Sequence, residues 1–291
     1  LDAVISALKP ALKRKGLREI VNKLSLQQTW RSDGGVPSPM NLWPRSVVGG
    51  LPIVKTTIDE TADGFITQAV WARGKNIRPF YSTSANGQVL ALCIRNPACS
   101  NLILEADQIH ADGMPMVHYS KLFCNLPLPE RVATTDLVHA VAQRAQETSV
   151  SFYFLGGSEA VNAAAVATMR RLYPNLTFAG RRNGYFNQEE EVEVVAEIRA
   201  ARPDILWIGL GFPLEQLFLR RHLNSLQGIG LVKTSGGLFD FLSGKNPRAP
   251  EWMQRIGLEW VYRMVNEPRR LTLRYLITNP LAVYALLRYS R

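Results

Sequence analysis

The chain has 291 residues, of which 46% are hydrophobic and 20% charged, enough to bury a core and too apolar for a disordered chain. Its formal charge of +10 is concentrated at the ends. Residues 1–31 hold seven Lys/Arg against two Asp/Glu, and residues 245–291 hold nine against three, whereas the 213 residues between carry 18 basic and 19 acidic side chains. A uniformly basic nucleic-acid binder is therefore disfavoured, and no nucleic-acid partner is expected. No run of 18 or more apolar residues predicts a transmembrane helix, and Leu1 to Lys15 lack the apolar core of a signal peptide. Cys93, Cys99 and Cys124 have no metal-binding spacing and read as ordinary thiols of a reducing cytoplasm.

In chain order, Ile5, Leu8, Leu12, Leu17, Ile20, Val21 and Leu24 have helical spacing, interrupted by Pro10 and Gly16, and face Lys13, Arg14, Lys15 and Lys23. Asp33 to Pro44 reads as a Pro/Gly linker, so the expected division is a basic helix and linker over 1–46, a core over 47–244 and a basic appendage over 245–291. Thr57 and Glu60 have capping-box spacing and open a helix with Ala62, Phe65, Ile66, Ala69 and Val70 on one face. Strands are expected at Pro79–Ser82, Leu102–Glu105, Ser151–Leu155, Leu176–Ala179, Ile205–Gly209 and Gly230–Lys233. Helical patterns fall at about 134–147, 158–173, 188–201 and 214–226. This alternation predicts an α/β fold, a Rossmann-like, mostly parallel sheet with helices on both faces.

Three expected strands end in glycine turns that lead towards a helix: Gly156-Gly157, Gly209-Leu210-Gly211 and Gly236-Gly237. Such turns let backbone N–H groups and a helix N-terminus meet a diphosphate, although each alone is equally ordinary as a tight turn. None is a full GxGxxG, which weakens a dinucleotide oxidoreductase reading. Asp112, in His110-Ala111-Asp112-Gly113, is a candidate general base on a turn beyond a strand, with Asp107 and His110 as second candidates. Gly180 to Phe186 joins Arg181 and Arg182 to Tyr185, a combination suited to phosphate and base or to a solvated loop. The acidic run Glu189–Glu193 reads as a helix N-terminal turn without assigned function.

From Lys245 onward, Leu258, Val261, Tyr262 and Val265 recur at helical spacing, with Arg255, Arg263, Arg269, Arg270 and Arg274 around them. That pattern fits a helix on an anionic membrane surface as well as one packed on the body.

The ordered motifs Gly50-Leu51-Pro52, Ala111-Asp112-Gly113-Met114-Pro115, Glu130-Arg131-Val132, Phe154-Leu155-Gly156-Gly157, Tyr173-Pro174, Gly184-Tyr185-Phe186 and Pro203-Asp204-Ile205-Leu206 continue through Gly209-Leu210-Gly211 and Gly236-Gly237-Leu238-Phe239-Asp240-Phe241. Arg248-Ala249-Pro250-Glu251-Trp252 and Gly257-Leu258-Glu259-Trp260-Val261-Tyr262-Arg263 complete the series. In this order, from about Val48 to Tyr275, the chain resembles the bacterial WecG/TagA/CpsF glycosyltransferases. The resemblance implies an inverting transfer from a UDP-sugar to a sugar on undecaprenyl diphosphate, in synthesis of exopolysaccharide or cell-wall polymer. It puts the base at Asp112 and implies a donor or acceptor pocket at Asn86, with Ser84 where Thr is usual. It also implies diphosphate contacts from Arg263, Arg270 and Arg274. Gln216 is taken as substrate-binding, but the family's basic residue followed by Gln-Glu is here Leu214-Glu215-Gln216, which leaves donor contacts there open.

No Asp-x-Asp is present, so neither a bound metal nor another cofactor is expected to be strictly required. The expected location is the cytoplasmic face of the plasma membrane, as a peripheral protein. Self-association is left open, as are a non-catalytic scaffold of the same fold and a dinucleotide-dependent oxidoreductase.

Overall fold

The computed structural model describes residues 38–291, and the basic segment before them, with its expected helix, lies outside the described residues. A 3-10 turn (Pro39–Leu42) leads into strands β1 (Arg45–Val48) and β2 (Leu51–Val54), then helix α1 (Ile58–Ala72) and β3 (Phe80–Ala85). Helices α2 (Gly87–Arg95) and α3 (Pro97–Leu104) precede β4 (Gln108–Ala111), α4 (Met114–Phe123), α5 (Thr134–Thr148) and β5 (Ser151–Gly156). The chain continues through α6 (Glu159–Leu172), β6 (Thr177–Arg182), α7 (Glu191–Ala201), β7 (Ile205–Gly209), α8 (Leu214–His222) and β8 (Leu231–Thr234). Helices α9 (Leu238–Leu242), α10 (Glu251–Arg255), α11 (Glu259–Asn266) and α12 (Pro268–Tyr289) end it.

The eight strands form one sheet in the order β1-β2-β4-β3-β8-β7-β5-β6, parallel except for the β1–β2 hairpin. Gly49 and Gly50 both have positive φ in that two-residue turn, the backbone a tight hairpin demands. Strand residues alternate between two apolar layers, as period-two geometry requires. Phe80, Phe152, Phe154 and Trp207 belong to one core cluster, and Tyr81, Tyr153, Leu155 and Ile208 to the other. Both faces are thus covered, as expected of a parallel sheet.

Several readings change. Leu102–Glu105 is no strand: Asn96 caps a helix from Pro97, its Oδ1 accepting the Ala98 N–H at 3.0 Å, and that helix runs through Leu104. The strand is Gln108–Ala111, whose buried Gln108 and His110 interrupt the apolar pattern. The expected linker contributes Met40 to the core, and the Met40 carbonyl accepts Gln108 Nε2 at 2.8 Å. The capping box at Thr57 and Glu60 forms, but Val70 is 42% exposed and Gln68 takes a buried position on α1 instead. Strand β6 extends through Arg182, so Gly180 to Arg182 is not loop.

Helix α12 lies along α2 and buries Ala282, Ala285 and Leu286 in the core. The tail then meets the hairpin: the Gly50 N–H donates to the Tyr289 carbonyl at 2.9 Å, and Arg291 N–H to the Val47 carbonyl at 2.9 Å. The basic end of the chain is therefore fastened to the sheet at its far terminus.

Candidate active site

The sheet order reverses around β3, with β4 on one side and β8 on the other, and a cleft of about 990 Å³ opens beyond the carboxyl ends of the strands. This is where open α/β sheets bind ligands, because neighbouring connections leave in opposite directions. Ser84, Asn86, Asp112, Gly157, Tyr185, Gly209, Gly211, Gln216, Gly236 and Gly237 all line it, joined by Arg263, Arg270 and Arg274. Gly156 lies just behind this surface. At φ +137, a Cβ there would come within 2.2 Å of the Gly209 carbonyl oxygen, so the residue lets two glycine turns pack backbone to backbone.

Asp112 is held at the end of β4: its N–H donates to the Ala85 carbonyl at 2.8 Å, and its Oδ1 accepts the Thr134 N–H at 3.3 Å. Burial pushes its carboxyl up to about 6, while the charges of Arg131 and Lys233 oppose that rise and Glu259 adds to it. Asp112 is thus a carboxylate at neutral pH and close enough to its titration point to take a proton. Asn86 caps α2 with its Oδ1, accepting the Val89 N–H at 3.2 Å, which leaves its amide NH₂ for a ligand. Gly113 packs against Asn86, where a Cβ would lie 3.6 Å from the Asn86 Cα, so the two strand ends form one corner.

On the opposite wall, Glu215 is buried, and its Oε2 accepts the Gly236 N–H at 3.1 Å, pinning the third glycine turn. Burial raises the Glu215 carboxyl to about 7. Buried Gln216 donates weakly to Thr83 Oγ1 at 3.5 Å, and its carbonyl oxygen has no partner within the protein. The departure at Leu214-Glu215-Gln216 therefore puts an acid on the turn and an amide on the wall, with Leu214 60% exposed at the rim.

Arg263, Arg270 and Arg274 share one nearby carboxylate. Arg270 bonds Glu267 at 2.5 Å and, with Arg263 and Arg274, holds its pKa down. Three cations against one anion leave the rim positive. The Arg274 Nε is buried without a partner, and Arg263 lies over the Phe241 ring. The segment is latched to the body by Arg131, which donates to Glu259 at 2.8 Å and to Gln254 Oε1 at 3.0 Å. Arg248, which bonds both Asp136 and Gln254, ties the same junction.

Other expected residues fall elsewhere. Arg78 binds Asp107 through two 2.8 Å contacts, and Asp107 also accepts the Tyr81 N–H, a structural role. His110 is buried against Phe65 with neither ring nitrogen partnered, and burial lowers its pKa well below the usual value. Arg181 and Arg182 pair with Glu159 and Glu197 on the edge strand, so they bind no phosphate in the cleft, whereas Tyr185, 81% exposed, stands at the cleft rim. In the acidic run, Glu191 is buried and binds Arg221 at 2.5 Å and His222 at 2.7 Å, joining α7 to α8.

Sequence reasoning missed Lys233, and it quoted Glu215 and Arg131 only inside motifs, without a role. The signal for Lys233 was a charged residue inside the run Leu231-Val232-Lys233-Thr234, all of it buried.

A mostly parallel sheet with a ligand-sized cleft at its strand ends, a held carboxylate and arginines on the rim make this an α/β protein with the form of an enzyme. The chain belongs to the glycosyl transferase WecG/TagA/CpsF family, whose model matches residues 46–291, and it is a glycosyltransferase. It is 32% identical over 214 residues to the N-acetylglucosaminyldiphosphoundecaprenol N-acetyl-beta-D-mannosaminyltransferase of Bacillus spizizenii strain W23, covering 72% of this chain and 80% of that relative. Among the described residues, no helix is long and apolar enough to cross a membrane.

Proposed function

We propose that the protein transfers an N-acetylhexosamine or hexose from a UDP-sugar to a sugar carried on undecaprenyl diphosphate, with inversion. The observation that carries this reading is the meeting of Asp112, the glycine turns and the three arginines in one cleft. The acceptor hydroxyl oxygen attacks the donor's anomeric carbon as its proton passes to the Asp112 carboxylate. The bond from that carbon to the diphosphate breaks, and UDP leaves with the electron pair. The glycine turns at Gly157, Gly211 and Gly236 let the departing diphosphate come close to the backbone, and Arg263, Arg270 and Arg274 bind diphosphate from the facing wall. Because these groups carry the electrostatic work, we infer no strict need for a divalent ion. Activity should persist in chelator, and its complete loss, restored only by Mg²⁺, would sink that part.

The relative's activity makes N-acetylmannosamine, here carried on UDP, the first donor sugar to try and undecaprenyl diphosphate N-acetylglucosamine the first acceptor. A screen of UDP-sugars against lipid-linked glucose and N-acetylglucosamine tests the reading; no transfer from any nucleotide sugar would overturn it. The same reading gives residues 245–291 the task of docking on an anionic bilayer at the cytoplasmic face. Exposed Trp252, Ile256, Leu273 and Leu276 accompany the arginines there. Replacing these four side chains with serine should reduce flotation with anionic vesicles, and unchanged flotation at physiological salt counts against docking by this segment.

A further inference from the structure

Lys233 is fully buried, on the central strand β8, and does not itself line the cleft. A buried ammonium is costly unless its surroundings need it. Its Nζ donates to Ser84 Oγ at 2.8 Å and to the Thr234 carbonyl at 2.9 Å. Ser84 in turn meets Thr134 Oγ1 at 3.3 Å, and the Thr134 N–H bonds Asp112 at 3.3 Å. Polar contacts thus run from the ammonium through the Ser84 hydroxyl to the Thr134 hydroxyl, and the backbone N–H of the same Thr134 meets the carboxylate.

We propose that Lys233 is a positioning residue for the transfer: its buried ammonium holds Ser84, and through it the Thr134 hydroxyl, beside Asp112, and together with Arg131 it sets positive charge next to this carboxylate. The inference rests on the reading of Asp112 as the base. Because the ammonium occupies a lone pair of Ser84 Oγ, the Ser84 proton is directed to Thr134 or to a ligand in the cleft. Two departures from the family pattern, Ser84 and Glu215, both fall on groups that interact with Lys233, one by hydrogen bond and the other through space.

The charges around Asp112 come from several elements. Arg131 stands before α5, Glu259 is on α11, Arg248 precedes α10, and Lys233 lies beneath. His110 is on β4, across β3 from Lys233, and burial with the charges of Lys233 and Arg45 lowers its pKa well below the usual value. Arg131 is already committed to Glu259, Gln254 and Asp136. Lys233 has no carboxylate bonded to it; burial lowers its pKa to about 8 while the charges of Asp112 and Glu215 oppose that fall, so it is an ammonium at neutral pH and gives up its charge as pH rises through about 8.

The test is the pH profile of kcat/KM for Lys233→Met and Lys233→Gln, the second keeping an N–H donor for Ser84 without the charge. Both should move the acid limb upward by about one pH unit, so that, with the parent carboxyl at about 6, the loss at pH 6 is about fivefold greater than at pH 8.5. An acid limb left in place, with a uniform loss at all pH values, overturns the proposal. Should the single variants fail to fold, Lys233→Met combined with Glu215→Gln removes both buried charges, and the same upward shift is required of it. The Asp112 carboxyl is also read by ¹³C NMR, assigned by its disappearance in Asp112→Asn. Its titration midpoint should rise when Lys233 is replaced, and an unchanged midpoint overturns the proposal. Turnover surviving in Asp112→Asn would instead refute the base, and the NMR midpoint would still report on Lys233.

Discussion

The two walls of the cleft are built by different means. The glycine wall, from the ends of β5, β7 and β8, is made of backbone packed on backbone above a fully buried core, and the Gly157 N–H donates to the Gly209 carbonyl. On the arginine wall, α11 has no buried residue, and side chains project from helices held near the cleft by Arg131, Arg248 and Gln254. A wall of glycine backbone without Cβ atoms lets a ligand approach closely and keeps its shape as charge develops. Long guanidinium side chains on a latched segment can adjust to a lipid headgroup presented from a bilayer, at a cost in side-chain entropy.

The strongest way to challenge this division is to remove the group between the walls. Asp112→Asn should lower kcat by about 10²–10⁴-fold in a transfer assay. Its stability should move the other way. The carboxyl is raised to about 6 from an ordinary value of 3.8, so the folded state holds its proton more tightly than the unfolded chain. The stabilisation this gives is present below the ordinary value and lost as pH rises towards 6. At pH 8, Tm of Asp112→Asn should therefore equal or exceed that of the parent by thermal denaturation.

Breaking the glycine wall should damage folding. Gly156→Ala sets a Cβ against the Gly209 carbonyl at a φ that L-residues rarely adopt, and should cost about 3 kcal/mol or more in denaturant unfolding. The arginine wall should behave otherwise: Arg263→Ala and Arg274→Ala should each raise acceptor KM by about tenfold, the loss of one charge-assisted contact, with Tm nearly unchanged. A large fall in Tm would show that this wall is structural too.

The smallest effect sharpens the link between the latch and the base. Glu259 raises the Asp112 pKa, so Glu259→Gln removes a negative charge and should move the acid limb of kcat/KM to lower pH by a fraction of a unit. Movement to higher pH would mean that the ion pair with Arg131 matters more than the charge of Glu259.

Much of the sheet was legible because short unbroken apolar runs, such as Phe152 to Leu155 and Ile205 to Ile208, leave few alternatives to strands buried on both faces. Asp112 and the glycine turns were legible as candidates for a related reason, since such turns fall where strands end. The strand Gln108–Ala111 was hidden by its own buried Gln108 and His110, while the short apolar run in α3 imitated it. Arg181 and Arg182 looked like phosphate ligands until edge-strand geometry gave them Glu159 and Glu197.

By itself, then, the sequence determined the alternation of strand and helix, the concentration of charge at the ends and the ordered motifs, because these depend on residue type and spacing. Only the tertiary structure decided which cations come near Asp112. Burial and through-space charge are set by neighbours far apart in the chain, and that is how Lys233 of β8 comes to stand beneath Asp112 while Arg131 is bound to Glu259.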